Sequence, residues 1–281
     1  MSAGTAPTAE PLADRAATPP GRIAAFARSD RGAHAASVLT ALVCWQLVGM
    51  RYDRIPVPTE VADFFWSQAS SGVLWAAFAN TLDGFFLGLA IALVVGIALG
   101  LALGLSNLVR LFLNDIVVVG LAVPGIIWAL LVILWFGFSF KAPVSAVALT
   151  ATPFIAVQVA QGVRGTSREL MRMSTAFGVP WQKRIRHLVL PSVMDYVFAG
   201  FRFAVIMGWN AVLLAEWFGG RAGVGFQTRS WYDANNFTGF VSWVLFFIVF
   251  IVLLDRLVLE PVARRTFRWR ADAGEQLHGG A

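Results

Sequence analysis

Charge is scarce in this chain. Asp, Glu, Lys and Arg make up 14% of the 281 residues, hydrophobic side chains reach 58%, and mean hydropathy is +0.69. An ordinary soluble domain carries about a quarter of its residues as charges, so that class is excluded. Cysteine is scarcer still. Cys44 stands alone in an apolar run, which rules out an intrachain disulfide or thiolate cluster and leaves it as a small packing residue. The three histidines, His34, His187 and His278, lie far apart, with no pair at the spacing of a helical zinc site. No metal is expected. The only lysines are Lys141, before Ala142, and Lys183, before Arg184. A phosphate-cradling loop needs a lysine followed by Ser or Thr, so no cofactor is expected in this chain. An intramembrane enzyme would need facing acid, base or metal ligands within apolar segments; none is visible, and no catalytic residue is expected.

What the chain does have is long apolar runs. A helix crossing the roughly 30 Å hydrocarbon layer needs about 20 apolar residues, because water cannot satisfy the backbone there. Residues 1–34, rich in Ala, Pro and Thr, read as a disordered tail without a cleavable signal peptide. Six helical spans follow within a membrane domain at 35–262, namely 35–50, 82–105, 116–136, 143–161, 193–218 and 239–260. Residues 263–281 form a basic tail. Between the first two spans an extended segment at 55–58 leads into an amphipathic stretch at 61–79. Trp45 supplies an interfacial anchor. The second span repeats Gly84, Gly88, Gly96, Gly100 and Gly104 at intervals of four or eight, which puts them on one face where another backbone can approach. Pro124-Gly125 should kink or break the third span.

Basic residues set the orientation. With the N-terminus inside, sixteen of the 22 Lys and Arg fall in inside segments and five outside, with Arg202 in a span. That asymmetry puts both termini and the loop 174–191 in the cytoplasm. It also accounts for the net charge of +6 without a nucleic-acid partner.

The loop STAFGVPWQKRIRHLVLP at 174–191 is polar and basic between apolar runs. Gly178 permits a sharp turn between two short helices, and Pro180 suits the first turn of the second. Gly178, Leu188, Leu190 and Pro191 stand at the spacing of the EAA loop of bacterial ABC importer permeases, which this segment resembles. Arg172-Met173-Ser174 stands where that family has Glu-Ala-Ala, which leaves open how the family glutamate's ionic contact is made here. The likeness extends over 80–269. It takes in Val123-Pro124-Gly125 through Leu134-Trp135-Phe136-Gly137, the segment Ala199 to Ala204, Ala215-Glu216 with Gly223-Val224-Gly225, and Leu259-Glu260-Pro261 through Trp269. Together these are similar to the sulfonate, taurine and nitrate branch of those permeases.

The resemblance implies an all-α, six-span, type I importer permease of the bacterial inner membrane with a coupling-helix loop between helices 4 and 5. It implies partners: a second copy of the chain, two ATPase subunits carrying ATP and Mg, a periplasmic binding protein and membrane lipid. The solute is expected to be a small polar anion such as a sulfonate, taurine or nitrate. A vitamin precursor or aromatic acid within the same family is the alternative, and an ATP-independent channel or carrier is the rival from another class. Coupling to the ATPase is expected from residues 168–191, on Arg168, Glu169, Arg172, Met173, Ser174, Ala176, Phe177, Gly178, Val179, Pro180, Trp181, Arg184, His187, Leu190 and Pro191, with Gly178 as hinge. A short helix pair of this kind can pass a rigid-body movement from a soluble motor to a bundle.

Four residues are candidates for the translocation pathway: Trp128, Arg202, Trp209 and Glu216. Arg202 either attracts an anion or, being near the cytoplasmic loop, snorkels or pairs with Asp195. Glu216 either helps receive the binding protein or caps its helix. Asp83 reads as a capping or interfacial residue at the start of the second span. Trp128, Trp135, Trp209, Trp217 and Trp231 serve as interface anchors or line a gate.

Overall fold

The computed structural model describes residues 30–52 and 54–261, and every element among them is helical. The expected tails fall outside these residues, apart from 30–34, which open the first helix. The chain divides into two compact units at Pro58.

The first unit holds α1 (Asp30–Arg51), whose apolar part, Ala36–Arg51, is shorter than a full span. The Trp45 indole N–H donates to the Pro56 carbonyl at 3.0 Å. The residue expected as an interfacial anchor thus ties down the segment that follows its own helix.

The second unit begins with α2 (Pro58–Ser70) and α3 (Val73–Leu105). The amphipathic stretch expected at 61–79 is divided by Gly72, whose φ of 82° lies in the left-handed region that glycine enters at no steric cost. The span expected from 82 therefore starts at Val73. Asp83 is exposed and ten residues inside that helix, so it cannot cap its start.

Helix α6 (Lys141–Gly165) is the centre of the unit: 67% of its span is buried, against 17% for α11 (Phe237–Leu254). The glycine face of α3 lies on it. A Cβ added at Gly88 would stand 2.5 Å from the Val144 carbonyl oxygen, at Gly96 2.8 Å from Ile155 Cβ, at Gly100 2.6 Å from the Ala156 oxygen, and at Gly104 2.5 Å from Val163 Cβ. Gly84 is the exception, with its nearest neighbour, Pro143, at 3.7 Å. In lipid there is no hydrophobic gain in joining two apolar helices, so close backbone approach and the dispersion contacts it permits hold this seam.

Helices α4 (Asn107–Ala122) and α5 (Gly125–Phe136) meet at 102°. The cause is local. Val123 before Pro124 is extended, and the Pro124 carbonyl accepts from the Ile127 N–H at 2.9 Å, which starts a new helix. The short α7 (Arg168–Ala176) and α8 (Trp181–Arg184) precede α9 (Leu190–Gly219), and α10 (Val224–Asp233) packs between α9 and α11. Helix α8 runs into α9 through a π-helical turn at Ile185–Val189, so one continuous helix covers Trp181–Gly219. Pro191 accounts for that turn. Its ring crowds the preceding helical turn and it offers no N–H, and widening the turn so that the Leu190 N–H bonds to the Ile185 carbonyl relieves the ladder. The same arrangement recurs at Asp255–Leu259, ahead of Pro261.

Four helices are long and apolar enough to span a membrane, and the bent α4–α5 pair makes a fifth if it acts as one passage. This is a multi-pass membrane protein. The expected count of six is not reached by length and composition, because the apolar part of α1 is short.

Candidate functional site

The loop expected to couple to a motor is a helix–turn–helix whose turn is fixed by hydrogen bonds. Ser167 Oγ accepts from the Leu170 N–H at 3.3 Å and caps α7 at its start. At the other end the Val179 N–H reaches the Ser174 carbonyl at 2.9 Å, and the Gly178 N–H reaches that of Thr175 at 3.0 Å. With Gly178 at φ 65°, this pair of bonds is a Schellman cap. The position expected as a hinge is thus the left-handed residue of a closed turn. Pro180 stands just before α8 rather than in its first turn. Arg184 Nη1 donates to Thr175 Oγ1 at 2.8 Å, and its guanidinium lies over the Trp181 ring at 5.4 Å, so the two short helices are stapled together.

The side chains of the turn divide by role. Met173 and Phe177 are exposed, Phe177 at 80%, which places bare apolar groups at the tip. Glu169, Ala176, Pro180, His187, Leu190 and Pro191 are also exposed, while Ser174 and Val179 are half-buried. Arg172 lines a cavity together with Arg110 and Arg164. The Arg168 side chain lies outside the described set. A Cβ at Gly178 would meet nothing within 4 Å, so the cost of substitution is backbone strain alone. Gly178→Val is expected to destabilise the turn by about 1–2 kcal/mol. Hydrogen exchange should rise across α7 and α8 and stay unchanged in α3.

Glu216 sits at the far end of α9, about 37 Å from Pro191 at helical rise. It is 3% exposed. Its Oε2 accepts from Thr81 Oγ1 at 3.0 Å and from the Gly225 N–H at 2.8 Å, while Thr81 Oγ1 accepts from the Val224 N–H at 2.8 Å. A side chain from α3 and one from α9 thereby satisfy the orphan donors that open α10. Gly223, with φ 103°, completes the knot, since a Cβ there would strike the Glu216 carboxylate. Glu216 does cap a helix, but it is the next helix and not its own. Thr81 escaped the sequence reading, because it stands between Asn80 and Asp83 just before the residue where the span was expected to begin.

Arg202 pairs with Asp255, 53 residues away, at 2.9 Å through Nη2, where the sequence reading had offered Asp195. The pair bridges α9 and the π turn after α11. A double-mutant cycle of Arg202→Gln and Asp255→Asn, read by thermal unfolding in detergent, should give a coupling of about 1 kcal/mol. Additive losses would contradict a direct bond.

Trp209 is 1% exposed, with Phe85 edge-on at 4.7 Å, Phe247 stacked at 5.5 Å and Phe250 at 4.9 Å. It belongs to the main apolar core and lines a small, wholly apolar cavity there. Trp128 is half-buried on α5. Trp217 lies against Tyr232 and Phe240, Trp231 meets Phe64 edge-on, and Trp135 is exposed. The structure therefore does not gather the four pathway candidates into one site.

Comparison with known proteins agrees with this architecture. The family described as binding-protein-dependent transport system inner membrane component matches residues 92–260, and the chain belongs to it. The putative aliphatic sulfonates transport permease protein SsuC of Escherichia coli (strain K12) is 32% identical over 232 residues, 80% of this chain and 87% of that protein. The riboflavin transport system permease protein RibX of Chloroflexus aurantiacus is 31% identical over 193 residues, 67% of this chain and 72% of its own length. The taurine transport system permease protein TauC of Escherichia coli (strain K12) is 26% identical, over 78% and 81%. Among solved structures, a chain of the MetNI methionine ABC transporter in an inward-facing conformation superposes with a TM-score of 0.55 at 20% identity, covering 69% of this chain and 94% of that one. A chain of an amino acid ABC transporter with histidines reaches 0.60 at 17% identity, over 72% and 98%. These last two likenesses concern the fold.

Proposed function

We propose that this chain is the permease subunit of an ATP-driven importer in a bacterial inner membrane, with six spans, both termini cytoplasmic, and a second copy as its partner. Two ATPase subunits holding ATP and Mg grip the α7–α8 turn, and a periplasmic binding protein delivers the solute at the opposite face. The observation that carries this reading is the turn itself. It is a capped, stapled helix pair with a bare apolar tip, continuous through α9 with the Glu216 knot at the other end of the bundle. A rigid rod of that kind passes a displacement at the tip to the far end without needing a hinge at Gly178. Sulfonates, taurine or nitrate are the solutes suggested by the resemblance and by the names of several relatives. The riboflavin permease, at almost the same identity as the sulfonate one, favours a second reading in which a larger, vitamin-like molecule is carried.

The test is recovery of partners. The tagged chain, purified from its own host in mild detergent, should bring down an ATPase, and Phe177→Asp should lose it with no change in melting temperature. A chain that comes down alone and moves solute in liposomes without ATP would establish the carrier reading instead. Thermal shift of the binding protein with taurine, nitrate, alkanesulfonates and riboflavin decides the solute.

A further inference from the structure

Beside the α7–α8 turn, where α3 and α6 end, lies a cavity of about 710 Å³ lined by Arg110, Arg164 and Arg172 and by no carboxylate. Among the described residues none of the three arginines forms a salt bridge. Arg164 spends its Nε on the Ala160 carbonyl at 3.3 Å, and Arg110 rises from the first turn of α4. Three guanidiniums around one cavity repel each other unless an anion joins them, and guanidinium forks match phosphate oxygens in pairs.

The surroundings say which anion. Leu105, Val163 and Trp181 line it beside the arginines, so the cavity is half apolar, and it sits at the level where two spans end. Next to Arg110 on α4, Leu108, Leu111 and Phe112 are exposed at 67%, 77% and 68%. Charge in a recess with a bare apolar strip beside it is the pattern of a headgroup site whose acyl chains run along the neighbouring helix. Phe177 and Gly178, at the tip of the turn, do not line it. We infer that this cavity holds the phosphate of an anionic phospholipid from the cytoplasmic leaflet. The leaflet rests on the orientation given under the proposed function; the chemistry of the site does not. A lipid held there touches α4, α6 and α7 together, and the turn then moves with the bundle as one piece.

The experiment is native mass spectrometry of the full chain in mild detergent, titrated with phosphatidylglycerol and with phosphatidylcholine of the same acyl chains. One phosphatidylglycerol should be retained about tenfold more tightly, and each of Arg110→Gln and Arg172→Gln should weaken it about fivefold. Lys183→Gln, exposed on α8 and outside the cavity, should change nothing. If a variant misfolds, the exposed Arg164→Gln gives the same reading. Equal loss in Lys183→Gln, or no loss in the cavity variants, would overturn the site. Displacement of the lipid by an equal concentration of inorganic phosphate, or by a co-purified ATPase, would overturn the lipid as its occupant. Orientation is tested separately, by labelling Lys183→Cys in a Cys44→Ser background with a membrane-impermeant thiol reagent. Labelling of intact cells from outside would sink the leaflet and the proposed topology, while the binding result in detergent would stand.

Discussion

Replacing Glu216 with alanine is expected to lower the stability of the detergent-solubilised protein by about 3 kcal/mol. The substitution removes the acceptor used by the Gly225 N–H and by the Thr81 hydroxyl, and it leaves a hole between α3, α9 and α10. At 3% exposure the site gives bulk water little access to replace the lost bonds. Glu216→Gln keeps an oxygen for the same donors and should cost about 1 kcal/mol. Thr81→Val keeps the shape but abandons the Val224 N–H, and should fall between the two. The site of damage is as diagnostic as its size. Hydrogen exchange should rise in α10 (Val224–Asp233), which loses its N-terminal anchor, and remain unchanged in α7. A Glu216→Ala protein that melts with the wild type, with α10 still protected, would show that the knot is dispensable.

Gly100→Ala should cost about 2 kcal/mol, and Gly100→Val should prevent accumulation of folded protein. The reason is the neighbour. The added Cβ meets the Ala156 carbonyl oxygen at 2.6 Å and Val159 Cβ at 2.6 Å, and backbone on a central helix cannot swing aside as a flexible side chain would. Gly88→Ala, facing the Val144 oxygen at 2.5 Å, should behave alike. Gly84→Ala is the control from the same face. With its nearest neighbour at 3.7 Å, an ordinary van der Waals contact, the added Cβ should be neutral, or slightly stabilising through the better helix propensity of alanine. Unfolding followed by tryptophan fluorescence would rank the series. Equal melting of Gly84→Ala and Gly100→Ala would mean that α3 does not rest on α6 as described.

These two experiments bear on different parts of the proposed cycle. The glycine seam fixes α3 to the central helix, so its loss should remove the protein from the membrane altogether. The knot fixes α10 to the end of α9, so a milder change there, such as Glu216→Gln, should leave assembly intact. Transport measured in that variant, against ATPase activity of the assembled complex, would tell whether movement of the α7–α8 turn still reaches the opposite face.

Much of the architecture was legible in the residues, because what specifies a helix in a membrane is local. The apolar runs from 82 onward, the break at Pro124-Gly125 and the glycine face of α3 all depend on neighbours within a few positions in sequence, and each stands in the structure, whereas the run at 35–50 falls short of a full span. The turn at 174–191 was legible for the same reason: a left-handed glycine followed by a proline has few conformations open to it. Even there the start of the following helix was not legible. The fifth span is expected to begin at 193, after Pro191, yet the chain absorbs that proline in a π turn and the helix already starts at Trp181.

What only the tertiary structure decided is which polar group meets which. Arg202 had Asp195 at hand on its own helix and joined Asp255 instead. Glu216 could have capped its own helix end, and it reached α10 with help from a threonine 135 residues earlier. Arg110, Arg164 and Arg172 come from three helices and share one cavity. Sequence supplies the groups and their helical faces. In a lipid solvent, however, every apolar face is nearly equivalent, so hydrophobicity does not choose the neighbours. That choice falls to close packing, above all to the seam where α3 has no side chains and α6 fills the space.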